Sequence, residues 1–564
     1  MSQLRSILIV ALLFVTTCTT QKVNMPADLI LTNGDFWTAN PSLPRVQAIA
    51  ISGGRIAALG TSDEIASLKG AKTEVIDLRG RFALPGFIDG HTHFVEGGFS
   101  LLGIDLRQAK DETELARLIG ERAREILKGA WITGGNWDHE SWPSQRLPTR
   151  HLIDPVTPDT PVFVDRLDGH MALANSYALR LAKITRNTPD PKGGEIVRND
   201  KGEPTGLLRD AAMDLVARLI PEPSEAERTR ALLAAVKEAG RLGVTSVNAM
   251  CSRDDLTLFQ DVFEAGNLTV RIYAFTPLPD IDKPSSVRPV RKNVNDYLRT
   301  GGVKGFMDGS LGSTTAWFYK PYLDAPKSTG LPAATWFPEG NMKRLIEKAD
   351  TAGLQIAVHA IGDRANEELL DIYEYVESKD GSKKDRRFRI EHAQHLAPQS
   401  IDRFHKLGVI ASMQPYHLID DGRWAAKRIG PERLKTTYAF RSLLDKGTTL
   451  AFGSDWPVAP LDPLLGVYAA VTRQTLDGKH PEGWLPEQKI SAEEALTCYT
   501  RSNAYAMFAE SLLGSLAVGH LADITVLSDN PMKVDPVKIK DIKVIRTIVG
   551  GRSVYLESLT RPPS

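Results

Sequence analysis

Cysteine is scarce in this sequence, with three residues in a chain of 564. Cys251 and Cys498 lie far apart, and no Cys-x-x-Cys pair occurs, which argues against a disulfide framework and against a thiolate zinc site. An excess of one charge is also lacking, because 69 basic residues balance 69 acidic ones. Nucleic-acid binders usually carry a basic excess or stripe, so the composition gives no sign of such a partner.

The N-terminus lacks a run long enough to span a bilayer. The apolar segment from Ile7 to Val15 follows Arg5 and has the form of a signal-peptide core. Cys18 comes next, in a context that resembles a bacterial lipoprotein signal, although Thr17 stands where Gly, Ala or Ser is usual. We therefore expect residues 1–22 to direct export, giving a periplasmic protein or an outer-membrane lipoprotein of a bacterium. A soluble cleaved form and an uncleaved anchor stay open.

Both ends of the remaining chain contain short β-prone runs separated by Asn-Gly and Gly-Gly turn signals. ADLILTNGDFWT and VQAIAISGGRIAALG stand near the start, and HLADITVLSDNP and VIRTIVGGRSVY stand near the end. The first and third of these runs resemble each other locally. The pattern predicts one small β-sandwich built from residues 27–84 and 515–558.

Between these ends, over residues 85–514, apolar β-rich runs alternate with amphipathic helical stretches such as ELARLIGERAREIL and NMKRLIEKADTAG. This alternation is typical of a parallel sheet. Eight candidate strands start near Gly86, Val244, Val270, Val303, Leu354, Phe388, Val409 and Thr449. The fold class predicted is therefore α/β, a (β/α)8 TIM-like barrel. A long insertion after the first strand, about residues 130–220 and including the hairpin GGEIVRNDKGEPTGLL, is expected to cover the barrel mouth.

Polar side chains stand at the ends of several predicted strands. In GFIDGHTH, His91 and His93 are two residues apart, so an extended strand points both to one face. VKGFMDGS, LQIAVHAIGD, FRIEHAQHL and TLAFGSDWP supply Lys304, His359, His392 and Asp455. Barrel active sites lie at the carboxyl ends of the strands, so we expect these side chains to converge.

The converging groups suit a divalent metal. Imidazoles and a carboxylate favour Zn²⁺ or another first-row ion, and one or two ions are compatible with the set. A bound ion would make water ionise near neutral pH, and Asp455 could carry the proton to a leaving nitrogen. Lys304 could be carboxylated and bridge two ions, or it could remain a protonated amine paired with a nearby carboxylate.

The motifs resemble those of the amidohydrolase superfamily, and within it the amidohydrolase-3 branch that includes YtcJ-like proteins and N-substituted formamide deformylases. The motifs are GFIDGHTH, GGNWDHESWP, RLDGHMALANSYAL, GGEIVRNDKGEPTGLLRDAA, VKGFMDGSLGSTTAW, AVHAIGD, RIEHAQ, MQPYH and GSDWP, in the branch's order over residues 27–556. The resemblance implies metal ligation by His91, His93, His359, His392 and Asp455, with Lys304 as a bridge. One departure is Thr314, where the branch often has arginine.

Other loop residues are candidates for contacting substrate. They are Trp137, Asp138, Asp168, His170, Asp308 and His417. For Trp137 the alternative is packing of the insertion onto the barrel, and for each histidine it is a structural hydrogen bond. Asp363 and Glu391, like Asp308, are candidates for orienting the ligands.

These observations predict a metal-dependent hydrolase that acts on a C–N bond of an amide-like, non-peptide small molecule. Three alternatives stay open: hydrolysis of an ester, lactam or carbamate; isomerisation of a carbonyl compound; and a binding or regulatory protein that keeps the barrel without turnover. Besides the substrate, the expected partners are the membrane, through an N-terminal lipid, and a second copy in a homodimer.

Overall fold

The structure of the protein is a computed structural model that describes residues 26–127, 129–284, 291–380 and 384–557. The predicted signal peptide, with Cys18, lies outside the described residues. Within the described ranges, no helix combines the length and the apolar character needed to cross a bilayer.

Most of the strands are short. In chain order they are β1 (Leu29–Thr32), β2 (Asp35–Trp37), β3 (Arg45–Val46), β4 (Ala48–Ser52), β5 (Arg55–Gly60), β6 (Glu74–Asp77), β7 (Phe82–Pro85), β8 (Phe87–Thr92), β9 (Ile104–Asp105), β10 (Ile132–Trp137), β11 (Val162–Arg166), β12 (Met171–Ala174), β13 (Gly194–Arg198), β14 (Pro204–Asp210), β15 (Val244–Met250), β16 (Arg271–Pro277), β17 (Lys292–Asn293), β18 (Leu298–Phe306), β19 (Gln355–Ala360), β20 (Arg389–His392), β21 (Ile410–Met413), β22 (Leu450–Phe452), β23 (Ile524–Leu527), β24 (Val544–Val549) and β25 (Arg552–Leu556).

The α-helices mostly follow the barrel strands. In chain order they are α1 (Ser62–Ala66), α2 (Phe94–Leu102), α3 (Glu112–Glu125), α4 (Arg150–Ile153), α5 (Ser176–Leu181), α6 (Asp214–Ala217), α7 (Glu225–Arg241), α8 (Arg253–Glu264), α9 (Asn341–Thr351), α10 (Asp363–Ser378), α11 (Pro398–Lys406), α12 (Pro415–Asp421), α13 (Ala425–Leu434), α14 (Phe440–Asp445), α15 (Pro463–Thr472), α16 (Ala492–Cys498) and α17 (Arg501–Ala506).

Eight parallel strands form the barrel, in the spatial order β8, β15, β16, β18, β19, β20, β21 and β22. The ring closes because a parallel bridge joins Thr92 to Trp456, and the N–H of Asp455 donates to the carbonyl of His91 at 2.7 Å. This confirms the predicted barrel. The first and last strands meet at the residues that the sequence marks for chemistry.

The observed strand starts agree with the predicted ones to within a residue except at β18. That strand begins at Leu298 rather than near Val303. Gly301 has a φ of +116°, which glycine adopts without strain, and the register against β16 shifts in this region. The glycine pair before Val303 therefore allows an irregular strand to continue, although in the sequence it has the form of a turn.

Helix α7 illustrates how the sequence positions a barrel helix. Ser224 and Glu227 form a capping box at its start, in which each side chain accepts the other residue's backbone N–H. Small and aliphatic side chains make its buried face: Ala231, Leu232, Ala235, Val236 and Ala239. Gly243 then turns the chain into β15 with a φ of +76°. The apolar stripe thus packs the helix against the outside of the barrel.

Two further sheets pack face to face beside the barrel, in the orders β5-β4-β1-β6 and β25-β24-β23-β7-β2-β3. Strand β23 pairs antiparallel with β7, so the two ends of the chain share one sheet. Side chains such as Leu31, Ile49 and Val526 from both sheets form one apolar core. The predicted sandwich built from both chain ends is confirmed.

The insertion forms a separate six-stranded sheet in the order β13-β14-β12-β11-β10-β9. It includes the predicted hairpin, as β13 and β14. The sheet begins at Ile104 and therefore extends beyond the predicted segment of about 130–220. Helix α3 belongs to it as well, because Leu115 and Ile119 pack with Trp137 and Val164 of the insertion. Amphipathic periodicity alone does not say which sheet an apolar face covers.

Candidate metal centre

Two glycines let the first and last barrel strands meet. A Cβ on Gly90 would lie 2.5 Å from Asn503 Oδ1 and 2.9 Å from the Phe452 carbonyl oxygen, and a Cβ on Gly453 would lie 2.5 Å from the backbone nitrogen of His91. Side chains at these positions would force β8 and β22 apart. Their absence brings His91 next to Asp455.

Asp455 is the centre of the histidine cluster. Its Oδ1 lies 3.4 Å from Nε2 of both His91 and His93, and that oxygen is buried with no hydrogen-bond partner in the described part of the chain. Atoms that each bind one zinc at about 2.0–2.1 Å in tetrahedral geometry lie roughly 3.3–3.4 Å apart. The three residues form a group that could hold a metal ion, and their spacing fits one.

His392 and His359 continue the cluster. The ring of His392 lies 4.5 Å from the ring of His359, centroid to centroid, and His392 Nδ1 lies 2.8 Å from Gln414 Oε1. His359 Nε2 donates to the Gly309 carbonyl at 3.0 Å, so in the neutral ring Nδ1 carries no proton. His392, His417 and Asp455 form a second group whose atoms could hold an ion.

Burial sets the protonation of these rings. It lowers the pKa of His91 to about 4 and puts the pKa of His359 and His392 well below the ordinary value. The desolvation cost of a charged imidazole is the largest cause in each case. The rings are therefore neutral near pH 7, which is the form that binds metals.

Glu391 holds the His91 ring from behind. Its Oε2 lies 2.5 Å from His91 Nδ1, so the opposite nitrogen, Nε2, faces Asp455. Arg389 donates to both oxygens of Glu391 at 2.8 and 3.0 Å, and the hydroxyl of Ser412 donates at 2.6 Å. The structure thus places Glu391 where an orienting residue must lie. Arg389 is a supporting residue that the sequence analysis missed, although it precedes Glu391 by two residues on the same face of its strand.

Lys304 lies beside the cluster. Its Nζ is 3.3 Å from His91 Nε2 and 4.5 Å from the centroid of the Phe306 ring. Burial lowers the pKa of the amine to about 8. Across the described residues no salt bridge of Lys304 is seen, but the charges of the Glu391 and Asp455 carboxylates act against the desolvation that lowers its pKa. The carboxylated lysine and the protonated lysine paired with a carboxylate therefore both stay predictions.

Three of the predicted substrate residues line the cavity above the cluster, which encloses about 320 Å³. They are Asp168, His170 and His417. His170 is oriented by Asp210, which lies 2.7 Å from its Nδ1, and its ring is 5.0 Å from the ring of His359. Asp210 was missed in the sequence because it lies 40 positions away, at the end of the insertion hairpin.

One carboxylate oxygen of Asp168, Oδ2, is held by three neighbouring side chains. Arg166 lies 2.6 Å from Asp168 Oδ2, and the hydroxyls of Ser310 and Ser313 donate to the same oxygen at 2.5 and 2.9 Å. These contacts join the insertion to the loop after β18. The geometry makes Asp168 part of the cavity wall and also a clamp between two chain segments.

The other three predicted substrate residues do not line the cavity. Trp137 is fully buried, donates its indole N–H to the Val164 carbonyl at 2.9 Å and packs within the insertion, which was the stated alternative. Asp138 pairs with Arg166 and Arg423. The sequence located these residues on loops beside the barrel but could not indicate the direction of each side chain.

Asp308 and Asp363 bind backbone groups. Asp308 accepts N–H groups from Trp317, Ile361 and Gly362 and does not line the cavity. Its Oδ1 lies 3.5 Å from His359 Nε2, so the predicted orienting role stays a prediction. Asp363 accepts the N–H of Tyr319 at 2.9 Å, and it is not among the residues lining the cavity. The prediction that Asp363 orients a ligand is not supported by these contacts.

The departure at Thr314 is matched by an arginine from another helix. Arg428 of α13 donates to Thr314 Oγ1 at 2.8 Å and to Glu140 Oε1 at 2.8 Å. The guanidinium of Arg428 therefore contacts the loop after β18, although it does not belong to that loop. It ties the loop to the insertion.

The structure is a closed parallel barrel, flanked by a sandwich, with neutral histidines around a shared carboxylate at its rim. Comparison with known proteins shows that it is a metal-dependent hydrolase. The family model described as "Amidohydrolase family", Amidohydro_3, matches residues 74–555. The chain belongs to this family, as its motifs predict.

Individual relatives are similar to the chain over most of its length. The chain is 41% identical over 549 residues to the protein LONG AFTER FAR-RED 3 of Arabidopsis thaliana, covering 95% of this chain and 93% of that one. It is 30% identical over 541 residues to an N-substituted formamide deformylase of Arthrobacter pascens, covering 93% and 97%. A crystal structure of an uncharacterized metal-dependent hydrolase from Pyrococcus horikoshii matches with a TM-score of 0.73 and 31% identity, covering 90% of this chain and 99% of that chain.

Proposed function

We propose that this protein hydrolyses a C–N bond of an amide-like, non-peptide small molecule at a metal centre built on His91, His93 and Asp455. The observation that carries the proposal is the unpartnered Asp455 Oδ1, 3.4 Å from two imidazole nitrogens beside the cavity. A buried acceptor is rarely left unpaired. The relative named as an N-substituted formamide deformylase supports the choice of a C–N bond.

The donor set favours zinc. Imidazole nitrogens and a carboxylate are common zinc ligands, and neither of the two described cysteines, Cys251 and Cys498, belongs to the cluster. When bound, the ion would supply Lewis acidity toward a carbonyl and would lower the pKa of water. The resemblance also offers one way to hold a second ion, with carboxylated Lys304 as a bridge beside His359 and His392.

The chain's own groups provide the proton path and the binding surface. Asp455 accepts a proton from the attacking water at its carboxylate and delivers it to the leaving nitrogen. His170, held by Asp210, and His417 face the same cavity and bind polar groups of the substrate. A cavity of about 320 Å³ suits a small molecule rather than a folded polypeptide.

The test combines metal removal with one variant. We expect a chelator to abolish hydrolysis of at least one amide in a panel that also contains esters, lactams and carbamates, and added Zn²⁺ to restore it. Asp455→Asn keeps the size of the side chain and loses its basicity, so kcat should fall by about 10²–10⁴. Asp371→Asn, at an exposed position with 66% of the side chain accessible, serves as the control. Full activity in Asp455→Asn, or activity indifferent to chelation, would contradict the proposal.

We also propose that residues 1–22 export the protein and that Cys18 becomes its lipid anchor. The support is the short apolar run from Ile7 to Val15 followed by Cys18. Cell fractionation of the full chain and of Cys18→Ser tests this. We expect the full chain in the membrane fraction and Cys18→Ser in the soluble fraction, and a full chain recovered in the soluble fraction would contradict anchoring.

A further inference from the structure

The insertion sheet contributes two polar side chains to the wall of the cavity above the candidate centre. Asn136 of β10 and Asp165 of β11 both line this cavity, and both residues are half-buried. Neither side chain makes a hydrogen bond or a salt bridge to the part of the chain that the structure describes. Their polar groups are therefore available to a molecule bound in the cavity.

A bulge in β10 brings these two residues next to each other. The register between β10 and β11 shifts between Gly134 and Trp137. Gly135 and Asn136 therefore both stand opposite the single residue Asp165. Asn136 has a φ of +54°, a left-handed conformation that is uncommon for residues other than glycine. Bulges beside active sites re-aim side chains, and this bulge places an amide beside a carboxylate.

Among the described residues, no cation is paired with Asp165. The guanidinium of the next residue, Arg166, is bound instead by Asp168 at 2.6 Å and by Asp138 at 3.3 Å. Lys304, which also lines the cavity, stands beside the histidine cluster. Burial raises the pKa of Asp165 to about 7, and no nearby charge opposes that rise. A desolvated carboxylate is stabilised by an ion pair, so a cation carried by the bound molecule would satisfy it.

The rest of the cavity wall fits a cationic molecule with an aliphatic part. Glu96 of α2 lines the cavity and has no salt bridge within the described ranges. Apolar side chains line the same cavity, Leu167, Leu311 and Ile361 among them. A chain of methylene groups would be buried against such side chains while its charged end meets a carboxylate.

We propose that Asp165, assisted by Asn136, binds a protonated amine of the substrate, so that the protein hydrolyses amides that carry an ammonium group away from the scissile C–N bond. This assignment rests on the proposed function for the amide and the metal centre, and it names the substrate class of the same cavity. The carboxylate of Asp165 accepts hydrogen bonds from the ammonium group and pairs with its charge, and Asn136 Oδ1 accepts a further hydrogen bond. Asp165 contacts the substrate away from the reacting bond and therefore determines specificity.

Binding of small amides to the full chain, freed of metal with a chelator, tests this assignment without requiring turnover. The probes are straight-chain ω-amino amides of three to eight carbons and the unsubstituted amides of the same lengths, and ligand-observed NMR gives each Kd. At the preferred length, we expect the amino amide to bind the wild type at least about tenfold more tightly, because it gains a charge-assisted hydrogen bond. The two amides should bind Asp165→Asn equally.

Further variants control the measurement. Asp159→Asn, at an exposed position on the loop before β11, should keep the preference for the amino amide. Asn136→Gly, in which glycine retains the left-handed backbone, should lose a smaller part of the preference than Asp165→Asn. Circular dichroism verifies that each metal-free variant is folded, and Asp165→Ser replaces Asp165→Asn if that variant is unfolded.

Two results would overturn the assignment. The first is that the wild type binds neither amide, or binds both equally, at every chain length. The second is an unchanged preference for the amino amide in Asp165→Asn. If Glu96→Gln then removes the preference, the ammonium group belongs to Glu96 of α2 and not to the insertion.

The outcome is separable from that of the proposed function. If Zn²⁺ restores hydrolysis of the unsubstituted amides while the wild type shows no preference for the amino amides, the role of Asp165 is wrong and the hydrolase stands. If the metal-free chain prefers the amino amides through Asp165 but hydrolyses nothing once Zn²⁺ is restored, the binding site stands and the proposed reaction fails.

Discussion

Glu391 Oε2 lies 2.5 Å from Nδ1 of His91, and both side chains are completely buried. The contact fixes which nitrogen of His91 faces Asp455 and how the ring is turned. Arg389 in turn holds the carboxylate with two hydrogen bonds, so three charged or ionisable groups are linked inside the barrel. Glu391 and Arg389, which support the candidate ligand His91, thus help to determine the geometry of the centre.

Glu391→Gln should weaken metal binding. An amide in place of the carboxylate loses the charge that orients His91, and changes of this kind typically cost about 10–100-fold in metal affinity. Competition with a chromophoric chelator measures the Kd for Zn²⁺. Glu347→Gln, at a half-buried surface residue that pairs with Lys379 far from the cluster, is the matched control. An unchanged Kd in Glu391→Gln would show that Glu391 does not position the ring.

Gly90→Ala should open the barrel at its closing seam. The new Cβ would lie 2.5 Å from Asn503 Oδ1 and 2.9 Å from the Phe452 carbonyl, closer than such contacts allow. Since β8 must then move away from β22, we expect less zinc bound per chain and a lower melting temperature. Gly240→Ala is the control, because its Cβ would meet nothing closer than 3.7 Å. Equal zinc content in the two variants would contradict this account.

Arg166→Lys should loosen the insertion over the cavity. The guanidinium reaches Asp168 at 2.6 Å and Asp138 at 3.3 Å together, and a lysine ammonium cannot span both. We expect kcat/KM to fall by about ten- to a hundredfold, because the cavity wall formed by Asp168 and its serine partners shifts. Steady-state kinetics on the amide found in the panel measures the effect. Arg186→Lys, an exposed change in the same insertion, should leave kcat/KM unaltered, and an equal loss in both variants would refute the clamp.

Asp523→Asn should destabilise the junction between barrel and sandwich. Arg271 of β16 binds Asp523 through two hydrogen bonds of 2.6 and 2.8 Å, and each side chain is only 4% exposed. Removing one partner of a buried pair leaves the other charge uncompensated and costs about 3–5 kcal/mol. Urea unfolding followed by circular dichroism gives the change in the free energy of unfolding. Asp296→Asn, in an exposed pair with Arg55 at 3.6 Å, should cost less than about 1 kcal/mol, and equal costs would contradict the prediction.

The order of elements could be predicted because it depends on local pattern. Buried parallel strands appear as continuous apolar runs, and their alternation with amphipathic helices implies a barrel. The barrel's own geometry then brings His91, His359 and Asp455 together, since active sites lie at the carboxyl ends of strands. Separation along the chain did not matter to that inference.

Side-chain direction could not be predicted in the same way. Trp137 ends strand β10 of the insertion and Asp138 follows it, yet the tryptophan packs in the core of the insertion and the aspartate pairs with arginines. Arg389 lies in the motif RIEHAQ and Asp210 in GGEIVRNDKGEPTGLLRDAA, yet the sequence does not show which partner the fold brings to each of them. Such contacts depend on the relative position of whole sheets.

The sequence by itself determined the barrel, the sandwich made from both chain ends and the set of residues at the strand ends. It could do so because periodicity and strand ends depend on residues that are close together in the sequence. Only the tertiary structure decided that Asp455 stands between two pairs of histidines and that Asp168 is held by Arg166. Closure of the barrel brings Asp455 to residues as distant in sequence as His91, whereas Arg166 and Asp168 are close in sequence and meet because of how the insertion packs.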